Sequence, residues 1–181
     1  MRALLLTALL ALVTASAEAR DPSIRNLSAS ATRGQVSVHF SLEGGFSDPQ
    51  TLEGLQSGVP TGFTYLIEIY RDRPNWFDDG IARARLEIIA TFNSVTREYL
   101  LNFRRDRRLV HTETFTDFAA LQQRMTTIDE PSLFNIGHAR AYKMRVRVKA
   151  DVSRGVLLYF IPWDVSTHWR VTRVKDTEAT K

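Results

Sequence analysis

Hydrophobic and polar side chains alternate with a period of two over much of this chain, and that period is typical of strands with one buried face. The clearest run lies within Gly58–Trp76, between a Gly-Val-Pro turn signal and Pro74. Its apolar parity consists of aromatic and β-branched residues: Phe63, Tyr65, Ile67 and Ile69. Leu66 interrupts the polar parity, so part of the second face is covered as well. We therefore predict that this is the central strand of a sheet.

The same period predicts further strands on both sides of this one. They are Ile24–Thr32, Val36–Leu42, Ala82–Phe92, Val95–Phe103, Val110–Phe115, Tyr142–Val152, the apolar run Val156–Phe160, and a last strand with Trp169 and Val171. Turns are expected at Arg33-Gly34, at Arg104–Arg108 and at Gly155. Trp169 is expected in the core, and Trp76 and Trp163 are expected to seal the ends of the sheet.

Two short helices interrupt the strands. Asp48–Leu55 has an aspartate that can cap its first turn and a proline at the next position. Asp117–Met125 has an apolar stripe, with Thr116 as its expected cap. Since the connections are too short for parallel crossovers, we expect antiparallel pairing. The predicted fold is mainly β: a single-domain antiparallel β-sandwich or curled sheet with two short helices, with an α+β fold as the alternative.

The N-terminal residues predict export. Met1-Arg2 precedes the apolar run Ala3–Val13, and small residues at Ala15–Ala19 offer cleavage sites. This run is shorter than the roughly 20 residues that span a bilayer, and no other segment is apolar enough to do so. We expect a signal peptide at 1–19, one domain at 20–174, a polar tail at 175–181, and a periplasmic or extracellular protein.

Composition narrows the chemistry. The chain has no cysteine, which excludes disulfides, thiolate catalysis and cysteine metal sites. The net charge is +4. It stays +4 after cleavage at Ala19, because the lost segment contains one residue of each sign, Arg2 and Glu18. Nucleic acid is an improbable partner for an exported chain without an aromatic-interleaved basic groove.

The order of features resembles a known family. The segments that support the resemblance are SGVPTGFTYLIEIYRDRPNW at Ser57–Trp76, REYLLNF at Arg97–Phe103, FTDFAALQQRM at Phe115–Met125, YKMRVRV at Tyr142–Val148 and IPWDVSTHWRV at Ile161–Val171. Together they resemble the small exported bacterial proteins known as domain of unknown function 4390. The resemblance covers nearly the whole mature chain and implies a bacterial, exported, single-domain protein. It implies no catalytic residue.

Four basic residues lie on one parity of the late strand: Lys143, Arg145, Arg147 and Lys149. In an extended strand they would form a stripe with about 6.6 Å between neighbours. Arg83 and Arg85 would extend this stripe if their strand is close. The stripe could bind an anionic surface or an acidic protein. Alternatively, it is a solvated outer face that is partly neutralised by Glu68 and Glu87 on neighbouring strands.

The segment Arg104–Arg108 is the second basic candidate. It has Arg104, Arg105, Arg107 and Arg108 around a single acid, Asp106. At a hairpin tip these guanidinium groups could bind phosphates or carboxylates. Alternatively, the charges only protect an exposed strand edge from aggregation.

No pattern of residues predicts catalysis or a metal. Asp164, Ser166 and His168 would share one face of a strand, but with about 6.6 Å between neighbours they are too far apart for a nucleophile and base. The four histidines are His39, His111, His138 and His168, and none has metal-ligand spacing. Asp78-Asp79-Gly80 lacks the calcium-loop pattern and indicates a turn. We expect no cofactor and no metal.

These observations favour an exported, non-catalytic binding or assembly module of the bacterial envelope. Its partner would be an envelope protein or an anionic surface. The alternative is a periplasmic carrier of a small apolar ligand, with a cavity lined by Phe40, Tyr65, Phe92 and Tyr99. A hydrolase that uses the Asp164–His168 segment is a third possibility.

Overall fold

The structure is a computed structural model that describes residues 21–73, 79–137, 143–157 and 161–177, with 153–157 and 161–164 described in backbone only. Trp76, His138, the predicted signal peptide at 1–19 and the side chain of Trp163 therefore lie outside the described part. The strands within it are β1 (Ser23–Thr32), β2 (Gln35–Glu43), β3 (Thr61–Arg71), β4 (Asp79–Asn93), β5 (Glu98–Arg105), β6 (Arg108–Phe115), β7 (Thr127–Asn135), β8 (Met144–Leu157), β9 (Ile161–Ser166) and β10 (Arg170–Asp176). The helices are α1 (Pro49–Gln56) and α2 (Phe118–Thr126).

These strands form one curled sheet, which confirms the mainly β prediction. The order is β6-β5-β4-β3-β8-β10-β1-β2-β7, and β9 also pairs with β8. The described pairings are antiparallel except that of β1 with β10, which is parallel. The antiparallel prediction is wrong at this one place because it rested on short links between consecutive strands. Such links do not restrict how the first and last strands of the chain pair.

Strand β3 occupies the central position that its sequence predicts. It pairs with β4 on one side and with β8 on the other. Phe63, Tyr65 and Ile67 on its apolar parity are fully buried, facing the concave side of the sheet. Burial of each such side chain contributes roughly 1.5–3 kcal/mol, so this parity fixes the register of the strand.

The two helices cover the concave side. Asp48 caps α1 as predicted, accepting a hydrogen bond from the backbone N–H of Gln50. The cap of α2 is Asp117 rather than Thr116, because the Asp117 carboxylate accepts from the N–H of Ala120 at 2.8 Å. Three residues of the helices are fully buried against the sheet: Leu55, Leu121 and Met125.

The aromatic residues expected to line a ligand cavity lie against one another. The rings of Phe40 and Tyr65 pack edge to face with centroids 5.2 Å apart, and those of Phe92 and Tyr99 are 4.8 Å apart. Phe118 of α2 lies 6.1 Å from Tyr99. At these positions the concave side is therefore occupied by the protein's own side chains.

Two predicted features and one strand that the sequence does not predict differ from the structure. Strand β8 continues through Gly155 to Leu157, so the turn expected at Gly155 is wrong. Val95 lies in the turn between β4 and β5, 90% exposed, rather than on the apolar parity of β5. Strand β7 was not predicted, because Pro131 interrupts its pattern. A proline is tolerated there because β7 is an edge strand of the described sheet.

Candidate binding surface

The basic stripe on β8 is a row of ion pairs. The pairs are Arg145–Asp72 at 2.6 Å, Arg147–Glu68 at 2.6 Å and Lys149–Asp151 at 3.2 Å. Each side chain in these pairs is between 25% and 41% exposed, so each pair contributes no more than about 1 kcal/mol to stability. The acids neutralise most of the charge that the sequence places on this face. Glu68 does so as predicted, while Glu87 pairs with Arg85 of its own strand.

Lys143 does not continue the alternation of the stripe. It precedes β8 in a turn with left-handed backbone (φ 57°), whereas alternation requires an extended chain. Arg83 lies directly opposite Glu68 across the β3–β4 pair. The structure therefore brings Arg83 and Arg147 to the two sides of one glutamate.

A bulge places Trp169 on this outer face. Strands β9 and β10 pair with the same edge of β8, and residues 167–169 connect them. These three residues lie opposite only two residues of β8, Lys149 and Ala150, so this segment has one extra residue. Thr167 fixes the bulge, since its hydroxyl accepts from the N–H of Ala150 at 2.9 Å and its N–H donates to the carbonyl of Ala150 at 2.8 Å. One extra residue exchanges the two faces of a strand. The prediction of a core Trp169 is therefore wrong, and its side chain is 41% exposed.

Arg147 lies between two aromatic rings. Its guanidinium carbon is 4.9 Å from the Trp169 ring centre and 5.4 Å from that of Tyr70. Its Nε donates a hydrogen bond to one oxygen of Glu68 at 2.7 Å, and its Nη2 lies 2.6 Å from the same oxygen. Cation–π contacts of this kind contribute about 0.5–1 kcal/mol at exposed sites, and here they hold the side chain in one orientation.

Apolar residues and an open cavity surround this group. The cavity has a volume of about 340 Å³ and is lined in part by Glu68, Tyr70, Ile81, Arg83 and Arg147. Ile81 and Val171, at 37% and 43% exposed, lie on the same face of the sheet. We define the Arg147 surface as Ile81, Arg147, Trp169 and Val171, together with the ring of Tyr70, which is buried beside Arg147.

The second basic candidate is a two-residue hairpin turn, as predicted. Asp106 and Arg107 both have positive φ angles between β5 and β6. Arg105 points to the concave side and donates to the backbone carbonyl of Leu133 in β7. Arg104, Arg107 and Arg108 are exposed.

Several residues considered for catalysis or metal binding have other partners. The hydroxyl of Ser166 donates to the carboxylate of Asp151 at 2.6 Å, and the side chain of Asp164 lies outside the described part. His39 is 3.9 Å from Asp129, and His111 is 3.0 Å from Glu113. Asp79 pairs with Arg73 at 2.7 Å. Among the described residues there is no group of three side chains that could hold a metal ion.

Comparison with known proteins gives one match. Residues 19–173 match the sequence model of a family described as a domain of unknown function (DUF4390). No curated protein and no solved structure matches the chain. In the part of the chain that the structure describes, no helix has the length and apolar character needed to cross a membrane.

Proposed function

The chain belongs to the DUF4390 family, and from that premise we propose that it is an exported, non-catalytic binding or assembly module of the bacterial envelope. In this proposal it docks a protein partner on the Arg147 surface. Export is supported by the N-terminal charge, apolar run and small-residue cleavage sites.

The observation that carries the proposal is the exposed Trp169 beside the oriented Arg147. Tryptophan, tyrosine and arginine dominate the energetic centres of protein interfaces, where they stand among apolar neighbours. The Arg147 surface presents an exposed tryptophan, a partly exposed arginine and two exposed aliphatic side chains, while the buried Tyr70 ring lies beside Arg147. The bulge and the ion pair with Glu68 hold them in place before a partner arrives, which lowers the entropic cost of binding.

A protein partner fits this surface better than a simple polyanion does. Arg145, Arg147 and Lys149 already have acidic partners, so a polyanion would have to displace them. A protein can instead bury the apolar residues while Arg147 keeps its ion pair with Glu68. The apolar-ligand carrier gains no comparable support, since the aromatic residues expected to line its cavity pack against one another.

Photo-crosslinking in living bacteria tests the proposal. A photoreactive residue replaces Val171 in one strain and Val95, an exposed turn residue, in a control strain. We expect one dominant protein adduct at position 171 that is absent at position 95. Adducts that are identical at both positions, or none at position 171, would contradict docking at this surface.

Two variants then test the chemistry of the contact. Trp169→Ala should abolish the adduct at position 171, because the exposed aromatic anchor is lost. The exchange Glu68→Arg with Arg147→Glu keeps the cross-strand ion pair but moves the cation away from the Trp169 ring. We expect it to weaken the adduct and to lower the thermal unfolding midpoint slightly, because it also places an arginine directly opposite Arg83. An undiminished adduct in both variants would refute the proposed contact.

A further inference from the structure

Three arginines at the β5–β6 hairpin have free side chains. Arg104, Arg107 and Arg108 make no side-chain hydrogen bond, ion pair or ring contact with any residue that the structure describes. In this they differ from the stripe on β8, where Arg145, Arg147 and Lys149 each have an acid. Among the described residues, the hairpin therefore brings three unpaired guanidinium groups together within five residues of the chain.

The single acid of this segment does not neutralise the arginines. The Asp106 carboxylate accepts a hydrogen bond from the backbone N–H of Arg85 at 3.0 Å. The N–H of Asp106 in turn donates to the carbonyl of Arg85 at 2.9 Å. This pair of bonds attaches the tip to β4, so the guanidinium groups project from a fixed turn.

Two exposed apolar residues follow the arginines directly. Leu109 and Val110 are 60% and 61% exposed. Val110 is the extra residue of a bulge, because Phe103 pairs with His111 while the next residue, Arg104, pairs with Leu109. The bulge disturbs the regular ladder that an added peptide strand would need at this point. Strand addition therefore does not account for the apolar pair.

We propose that this hairpin tip, Arg104 and Arg107–Val110, is a docking site for the surface of an anionic phospholipid membrane. Free guanidinium groups bind lipid phosphates, and neighbouring aliphatic side chains enter the boundary between headgroups and acyl chains. A two-residue turn is convex and suits a flat surface, whereas a peptide ligand needs a groove. The site goes beyond the proposed function, since it lies on other strands and binds a different class of partner.

Vesicle binding tests the charge contribution. Protein purified from its own host is titrated with vesicles of phosphatidylcholine, either alone or mixed with phosphatidylglycerol, and its affinity for each is measured. Each arginine near an anionic membrane surface raises the affinity for the membrane about fivefold. Arg104→Gln, Arg107→Gln and Arg108→Gln together should therefore weaken binding to anionic vesicles on the order of 100-fold. The matched control replaces three other exposed arginines, Arg83, Arg170 and Arg173, by glutamine and should lose no more than a few-fold. Equal losses, or equal binding to neutral vesicles, would overturn the proposal.

The absence of cysteine from the chain permits a direct test of insertion. A single cysteine at Leu109 and, as control, at Val95 carries an environment-sensitive dye. Anionic vesicles should shift the emission of the dye at position 109 to shorter wavelength and leave that at position 95 unchanged. If poly-glutamate shifts the dye at position 109 and vesicles do not, the partner is an acidic protein and the lipid proposal is wrong. Equal shifts at both positions would also refute it.

Discussion

Tyr65 combines full burial with a polar group that must be satisfied. Its hydroxyl donates to the carbonyl of Met125 at 2.8 Å. Met125 is in the last turn of α2, where carbonyls lack partners within the helix. Tyr65→Phe should therefore lower the free energy of unfolding by roughly 1–2 kcal/mol, measured by chemical denaturation at neutral pH.

The matched control for this change is Tyr99→Phe. Tyr99 is nearly buried on β5, but its hydroxyl makes no hydrogen bond within the described residues. Loss of the Tyr99 hydroxyl should change the free energy of unfolding by less than about 0.5 kcal/mol. Similar effects of the two substitutions would show that the hydroxyl of Tyr65 does not secure α2.

Burial of Tyr65 also predicts a pH dependence. Desolvation raises the pKa of Tyr65 above its ordinary value of 10.0. The unfolded chain then loses this proton as the pH passes 10.0, while the folded protein keeps it. Stability is therefore fully present below that pH and falls above it, by up to about 1.4 kcal/mol per pH unit.

Denaturation of wild type and Tyr65→Phe from neutral pH to about pH 11 measures this contribution. We expect the stability advantage of wild type to shrink above the ordinary tyrosine pKa. A constant difference between the two proteins across that range would count against a protonated Tyr65 in the folded state.

Sequence periodicity predicts a residue's face only where the strand is regular. It correctly places Tyr65 and Phe63 in the core. It misplaces Trp169, because a single extra residue in 167–169 exchanges the faces and no local residue type announces that bulge. It correctly predicts Glu68 as a partner of the basic stripe but misses Asp72, which follows β3 and comes close to Arg145 only when β3 and β8 pair.

At the scale of elements, the β1–β2 turn depends on Gly34. Its φ is +76°, and an added Cβ would lie 2.1 Å from the carbonyl oxygen of Gly137. The Gly34 carbonyl also accepts from the N–H of Ile136, which attaches this turn to the end of β7. Gly34→Ala should therefore cost roughly 2–4 kcal/mol of unfolding free energy, measured by chemical denaturation.

Gly80 supplies the control for this substitution. It lies in β4, and an added Cβ would meet no atom of the described residues within 4 Å. Gly80→Ala should stay within about 0.5 kcal/mol of wild type. If Gly34→Ala were equally mild, the close approach of the β1–β2 turn to Gly137 would be wrong.

The elements themselves follow from local patterns, with instructive exceptions. Asp48 with Pro49 correctly predicts the start of α1, and Arg33-Gly34 correctly predicts a hairpin. Strand β7 escapes prediction because Pro131 and its acidic neighbours suit only an edge position, which depends on the whole sheet. The continuation of β8 past Gly155 depends on pairing with β9.

At the scale of the whole molecule, the formal charge of +4 is unevenly distributed. Arg145 and Arg147 have acidic partners, whereas three arginines without an ion pair among the described residues lie close together at the hairpin tip. Arg104 pairs across the sheet with Glu87 of β4, which pairs with Thr64 of β3, which pairs with Asp151 of β8. Arg147 lies four residues before Asp151 along β8. Strand spacings then separate Arg104 from Arg147 by roughly 20 Å along the sheet.

This separation predicts that the two surfaces work independently. Substitutions more than about 10 Å apart without shared partners usually have additive effects. Trp169→Ala should therefore abolish the crosslink at position 171 but leave vesicle binding within about twofold of wild type. Replacing Arg104, Arg107 and Arg108 by glutamine should weaken vesicle binding but leave the crosslink at position 171 intact. Both assays are run on both variants to measure this. If either variant abolished both activities while its unfolding midpoint stayed unchanged, the protein would have a single composite surface, because two independent sites cannot fail together without loss of the fold.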